Sequence, residues 1–119
     1  MRLHIIIEEL CNIETGDFNQ AIADLTQAIW LNINDADTYF NRGFAYHVIG
    51  EYDHAIADYT RAIRLNPNLT VAFISRGEVH IERGEYDQAI ADFEAALRID
   101  PADSTARENL EYTRQRKRG

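Results

Sequence analysis

The sequence predicts an all-α fold made of three repeats of equal length, each with two helices, and one further helix at the end. The first reason is a recurrence: the segment Gly50–Tyr59 returns as Gly84–Phe93 and occurs earlier as Gly16–Leu25, at the same interval each time. The second reason is the spacing of apolar residues at three and four positions, which is typical of an amphipathic helix. A period of this length indicates helical units that stack to bury a shared core.

The three copies are too similar to share one register by chance. From the glycine to the end of the second helix, more than half of the positions are identical between the second and third copies and between the first and second. They define repeats at residues 2–35, 36–69 and 70–103, followed by a capping helix over residues 104–118. A chain of 119 residues has room for one core, so we expect a single domain over residues 1–119.

Each repeat is expected to hold a first and a second helix, separated by a glycine. The first helices are predicted over about residues 36–49 and 70–83, and the second helices over about residues 52–65 and 86–99. An X-Pro step follows each of these second helices. Because proline restricts the preceding residue to extended conformations, the helix is expected to end there.

The first repeat departs from this pattern before its glycine. Its second helix is regular, but residues 1–14 include the β-branched run Ile5–Ile7, which makes the segment a poor isolated helix. Two interpretations stay open. The segment is a divergent N-terminal cap, or it is displaced, disordered or exchanged with another copy of the chain.

Two glycines in the middle of predicted first helices call for a packing explanation. Gly43 and Gly77 cost about 1 kcal/mol each relative to alanine, so a close approach of two helices is expected there. The expected partners are Ala55 and Ala89 on the second helices. Some carboxylates also recur at the same position of the second helices and are expected to be solvated or scaffold residues, among them Asp24, Asp58 and Asp92.

The repeats carry the residue types of a known family. The third repeat matches six of seven characteristic positions and has His80 at the seventh, whereas the first has Glu9 and Asn12 at the small and aromatic positions. The second repeat matches all seven, with Tyr39, Gly43, Tyr46, Ala55, Tyr59, Ala62 and Pro67. The chain thus resembles the tetratricopeptide repeat family, and its repeat sequences are similar to those of bacterial members. This resemblance implies a right-handed α-solenoid of antiparallel helix pairs and a role in protein–protein interaction.

The resemblance also places a binding groove on the concave face, which the first helices line. The expected groove is an aliphatic and aromatic floor with acidic edges. It predicts an apolar or amphipathic peptide or helix as ligand, with basic residues that face Asp37, Glu78 and Glu82. The groove residues are expected to be Ile6, Leu10, Phe40, Asn41, Phe44, His47, Val71, Ile74, Ser75, Glu78 and Ile81.

Two alternatives limit this expectation. The capping helix, through Leu110 and Tyr112, or tight curvature could bury most of these apolar residues. In addition, the carboxylate clamp by which some family members hold chaperone tails matches only at Asn41. Its basic positions are occupied by apolar or neutral residues, so recognition of an acidic chaperone tail is not expected.

Composition and motifs argue against several other functions. The formal charge of −8 disfavours nucleic-acid binding, and no apolar run approaches the roughly 20 residues of a membrane span. His47 and His80 lack the neighbours of a metal site, and the lone Cys11 lacks a nucleophile signature. We therefore expect no catalytic residue, metal or cofactor, and a non-enzymatic, cytoplasmic protein.

The charge divides into two parts. All the acidic residues lie within residues 1–113, where they outnumber the basic ones, and the tail that follows adds four cations: Arg114, Arg116, Lys117 and Arg118. The tail is either a solubilising end of the capping helix or an arm that docks on a neighbouring copy. Homo-oligomers through residues 1–14 or this tail therefore stay possible. The alternative functions are a self-associating scaffold and a docking or regulatory part of a larger enzyme complex.

Overall fold

The structure is a computed structural model that describes residues 15–119. The regular structure within this range is entirely helical, which confirms the predicted fold class. The first helix expected for the first repeat lies outside the described residues. The described helices are α1 (Thr15–Leu31), α2 (Ala36–Val48), α3 (Tyr52–Leu65), α4 (Thr70–Glu82), α5 (Tyr86–Ile99) and α6 (Ser104–Arg118).

Local hydrogen bonds explain where the helices begin and end. Asp35 caps α2, because its Oδ1 atom accepts hydrogen bonds from the backbone N–H groups of Asp37 and Thr38 at 3.0 and 3.3 Å. Asp103 caps α6 in the same way. Gly50 has a φ of 83°, in the left-handed region, and lets the backbone turn sharply after α2.

The chain forms two compact units, of which the first ends at Pro67 and the second spans Asn68–Gly119. In the first unit α2 packs against both α1 and α3. In the second unit α5 packs against both α4 and α6. Each unit has a core of small and aromatic residues, in which Tyr59 and Phe93 are fully buried.

Helices α2 and α3 are antiparallel, as their side-chain partners show. Tyr46 stacks on His54 with ring centroids 4.8 Å apart, and the guanidinium of Arg61 lies 5.7 Å from the centroid of Tyr39. The partners advance along α3 as they go back along α2. The predicted antiparallel helix pair is therefore present in this repeat.

The two mid-helix glycines make room for aromatic rings rather than for alanines. A Cβ atom on Gly43 would lie 2.9 Å from ring carbons of Tyr59, and one on Gly77 would lie 2.7 Å from Cε1 of Phe93. The prediction that Ala55 and Ala89 are the partners was wrong. Tyr59 and Phe93 lie one helical turn further along, and that turn is the one that faces each glycine.

A buried ion pair joins the first and second helices of two repeats. Arg42 donates to both carboxylate oxygens of Asp58 at 2.8 Å, and Arg76 does the same to Asp92 at 3.0 and 2.7 Å. The hydrogen bond from Arg42 to Asp58 is the main reason that the pKa of Arg42 is raised. Both carboxylates are buried, so these two aspartates have the scaffold role that the sequence left open.

We predict that Gly77→Leu destabilises the chain by about 1–3 kcal/mol or more, because the added side chain overlaps the buried ring of Phe93. Urea unfolding followed by circular dichroism measures the effect. Ala91→Leu is the matched control, since Ala91 is an exposed helical residue of the same repeat and its substitution should change the free energy of unfolding by at most about 0.5 kcal/mol. Equal stability of Gly77→Leu and wild type would contradict the close contact.

We predict that Arg42→Ala lowers the free energy of unfolding by about 3 kcal/mol, because it leaves the buried carboxylate of Asp58 without its cation. Arg114→Ala is the matched control. It breaks an exposed pair with Glu94 of similar length, 3.0 Å, and should cost about 0.5 kcal/mol or less. Equal losses in the two variants would show that burial does not govern the strength of the Arg42 pair.

Candidate partner-binding site

The predicted groove residues of the first unit lie on one face of α2. Phe40, Phe44 and His47 are half-buried there, and Val48 is 45% exposed. Their spacing of three and four positions places them side by side along the helix. The α2 face, defined by these four residues, is therefore an apolar and aromatic surface with one histidine.

Rings of α3 support two residues of this α2 face. The ring of Phe40 lies 5.5 Å from the fully buried ring of Tyr59, and His47 packs edge-on against Tyr52 at 6.0 Å. These ring contacts restrict the rotamers of Phe40 and His47. Ordering these two side chains before a ligand arrives lowers the entropic cost of binding.

Asn41 lies beside the α2 face but is only 2% exposed. Its Nδ2 group donates to the backbone oxygen of Asp37 at 2.6 Å, whereas its Oδ1 atom is buried and has no hydrogen-bond partner among the residues described. An unsatisfied buried acceptor costs about 1–3 kcal/mol. Asn41 therefore keeps unused acceptor capacity next to the face.

In the second unit, α4 presents a smaller surface than the sequence predicted. Val71 is 48% exposed, Ser75 and Glu78 are half-buried, and Glu82 is exposed. We call these four residues the α4 face. Near it, Nδ2 of Asn109 lies 3.4 Å from Oε2 of Glu78.

Ile74 belongs to the core of the second unit rather than to the α4 face. It is only 7% exposed and shares a hydrophobic cluster with Phe93 of α5 and Leu110 of the capping helix. Ile81 is half-buried and packs against the same cluster. Tyr112 of the capping helix is 49% exposed.

The remaining predicted groove residues, Ile6 and Leu10, lie outside the described residues. Of the other predicted residues, Ile74 lies in the core of the second unit and Ile81 packs against that core. Val71 is exposed, and the residues that are half-buried on α2 or α4 are Phe40, Phe44, His47, Ser75 and Glu78.

No group of three His, Cys, Asp or Glu side chains over residues 15–119 is arranged to hold a metal ion. His80, which replaces the usual aromatic residue, has its Nδ1 atom 2.8 Å from Oε1 of Glu85 and its Nε2 atom 3.8 Å from Oδ2 of Asp92.

None of the helices described is long and apolar enough to cross a bilayer.

The basic tail packs on its own unit. Arg114 pairs with Glu94 at 3.0 Å, Lys117 pairs with Asp87, and a hydrogen bond to Tyr86 raises the pKa of Arg116. These contacts favour the interpretation of the tail as the end of a capping helix. They are exposed, so each contributes little to stability.

One exposed apolar surface, at the end of α1, was not predicted from the sequence. Trp30 and Leu31 are 83% and 84% exposed, and Ile33 follows them in the same exposed turn. Large apolar residues this exposed are uncommon in clusters. A signal existed: Trp30 stands where the other two repeats have Arg64 and Arg98.

Solved structures share this architecture. A crystal structure of MamA protein has a TM-score of 0.81 and 31% identity over 84% of this chain, which spans only 55% of that protein. The TPR domain of Arabidopsis OM64 has a TM-score of 0.81 and 28% identity, over 96% of this chain and 95% of that domain.

A third structure is the second TPR domain of human RPAP3 in complex with the HSP70 peptide SGPTIEEVD. It has a TM-score of 0.78 and 31% identity, over 83% of this chain and 82% of that domain. Among curated proteins, no sequence matches the chain.

Family descriptions match most of the sequence. The description "Tetratricopeptide repeat" matches residues 36–69 and 71–103, and "TPR repeat" matches residues 13–50. The two matches to the first description cover the helix pairs α2–α3 and α4–α5 of the structure. The chain therefore belongs to the tetratricopeptide repeat family, whose fold is a solenoid of helix pairs.

Proposed function

We propose that this chain is a non-enzymatic module that binds an apolar or amphipathic peptide or helix of another protein. The observation that carries the proposal is the α2 face. Two phenylalanines and Val48 remain accessible there, although other sides of α2 pack against α1 and α3. The solvent side of a helix is ordinarily polar. An apolar surface on rigid support is typical of a site for a partner.

The family and its members support this class of function. The second TPR domain of human RPAP3, at 31% identity, holds an HSP70 peptide. This likeness supports peptide binding as the general activity of the present chain. Catalysis has no comparable support: Asp58, Asp92 and His80, which recur in or stand out from the repeat pattern, are engaged in contacts between helices or at a helix start.

The proposed ligand differs in charge from that HSP70 peptide, whose sequence ends in glutamates, valine and aspartate. The α4 face has Val71 and Ser75 where an acidic tail would need basic groups, and Ile6 and Leu10 occupy the other such positions in the sequence. Asp37 on α2, and Glu78 and Glu82 on α4, instead place negative charge on the helices that carry the two faces. A peptide with lysine or arginine beside its apolar residues is therefore favoured.

Binding to the α2 face would bury the accessible edges of Phe40 and Phe44, which supplies most of the free energy. We further propose a reducing, cytoplasmic location, since Cys11 is the only cysteine in the sequence.

Selection from a phage-displayed peptide library on the immobilised chain tests this proposal. We expect the selected peptides to combine aromatic or aliphatic residues with lysine or arginine, and Phe44→Glu to weaken their binding about tenfold, measured by fluorescence anisotropy. Val71→Glu tests the α4 face separately. Ile74→Glu is unsuitable, because Ile74 is a core residue and the variant would be destabilised.

Tyr112→Glu is the matched control, because Tyr112 is as exposed as Val71 but lies on α6, outside both faces. It should leave binding unchanged. Selection of acidic peptides, or equal binding by Phe44→Glu, Val71→Glu and wild type, would contradict the proposed site.

A further inference from the structure

On α3 and α5, the first helix of the same repeat covers one stripe of the helix surface. Helix α1 has a stripe at the corresponding positions. In α3 the corresponding stripe meets α2: His54 stacks on Tyr46, Asp58 pairs with Arg42 and Arg61 lies over Tyr39. Leu65 completes this stripe one turn later. The residues at the same positions of the first repeat form the open stripe of α1: Gln20, Asp24, Gln27 and Leu31.

Exposure separates Asp24 and Leu31 of the open stripe from their counterparts. Asp58 and Asp92 are buried by the arginines of their own first helices, whereas Asp24 is exposed and, among the described residues, accepts a hydrogen bond from Gln20 at 3.1 Å. Leu31 is likewise highly exposed, but Leu65 in the corresponding position is half-buried. The open stripe is therefore a helix-receiving surface without the cation that the other two repeats supply.

The sequence before α1 does not carry the residues that would complete this surface. In the repeat register, Glu8 stands where α2 has Arg42, and Glu9 stands where α2 has Gly43. A helix with this sequence would bring Glu8 against Asp24, and two carboxylates at one site repel. The family match, moreover, begins at residue 13.

We propose that the open stripe, together with Trp30, binds an amphipathic helix from a partner protein. The helices that fill this place on α3 and α5 specify the chemistry of that partner. It carries an arginine to pair with Asp24, a small residue directly after it, and a ring three positions before the arginine. In α2 these residues are Arg42, Gly43 and Tyr39, and in α4 they are Arg76, Gly77 and Phe73.

Charge and apolar area on α1 both fit this partner. The helix contains Asp17 and Asp24 but no lysine or arginine, so it attracts a basic helix. Trp30 provides a large exposed ring of the kind that dominates binding energy at interfaces. A recess of about 300 Å³, lined by Thr26, Ile29, Trp30, Ile33 and Arg42, extends the apolar surface beyond Trp30.

The test uses the full chain and a fluorescein-labelled peptide with the sequence of residues 36–49, which contains the required arginine, glycine and tyrosine. Trp30 is the only tryptophan of the chain, and the peptide has none, so tryptophan emission reports directly on the proposed surface. We expect saturable binding by anisotropy and a blue shift of the Trp30 emission, since docking removes the indole from water.

A charge swap assigns the site. Asp24→Arg should weaken the peptide at least tenfold, and a peptide with the change Arg42→Glu should bind wild type equally poorly. Combined, the two changes should restore affinity. If the peptide instead displaced α2 from α3, its affinity would depend on Asp58 and not on Asp24. Trp30→Arg, which copies Arg64 and Arg98, should weaken binding several-fold without changing the unfolding temperature.

A second measurement avoids the weak helicity of a short free peptide. The double variant Glu8→Arg/Glu9→Gly supplies the arginine and the small residue within the chain. It should raise the unfolding temperature by several degrees and shift Trp30 emission to the blue, and Asp24→Asn should cancel both effects. Failure of both the peptide and the double variant would overturn the proposal.

Three other outcomes would also overturn it. Unchanged peptide affinity in Asp24→Arg would place the peptide elsewhere. A change of Trp30 emission on dilution of the protein alone would identify a second copy as the occupant. A shift of that emission in Ile6→Asp, without peptide, would identify residues 1–14 as the occupant.

Discussion

The bidentate contact between Arg42 and Asp58 organises the first unit. Besides the two bonds to Asp58 on α3, Arg42 donates to the hydroxyl of Thr26 on α1 at 3.2 Å, so one guanidinium joins three helices. A planar group with fixed donor directions admits one register between α2 and α3. Because that register brings Gly43 opposite Tyr59, the close approach of the two backbones follows from the same contact.

This constraint also shapes the surfaces available to a partner. With its sides packed against α1 and α3, α2 keeps one strip for solvent, and that strip holds Phe40, Phe44, His47 and Val48. In the second unit α6 packs against α5 and shares a cluster with Ile74 of α4. The α4 face is therefore narrower and more polar than the α2 face, although α2 and α4 are the first helices of their repeats.

The sequence was most informative where the three copies could be compared. The bounds of α2 to α6 agree closely with the predicted ones, because glycine and proline stop helices through local backbone effects. The partner of Gly77 could not be predicted, since periodicity identifies a buried side of a helix but not which of its residues reaches a given backbone. The burial of Ile74 depends on α6, whose sequence lies outside the repeats and has no second copy for comparison.

Trp30 escaped prediction for a related reason. The exposure of residues at the end of α1 depends on the segment that packs against them, and the three copies differ most before the glycine, where the first helix is predicted. The buried aspartates show the same dependence: Asp24, Asp58 and Asp92 occupy identical positions, yet only the two that face an arginine are buried. Burial is thus a property of the helix pair, whereas the repeat pattern describes one helix at a time.

Helix α6 differs from α1 in the polarity of its exposed residues. Arg107, Glu108, Glu111 and Arg114 are all exposed, and charged side chains there disfavour the docking of a further apolar helix. Helix α1 ends instead in the exposed apolar residues Trp30 and Leu31. A partner helix bound to the open stripe would therefore give a complex of one helix to one chain.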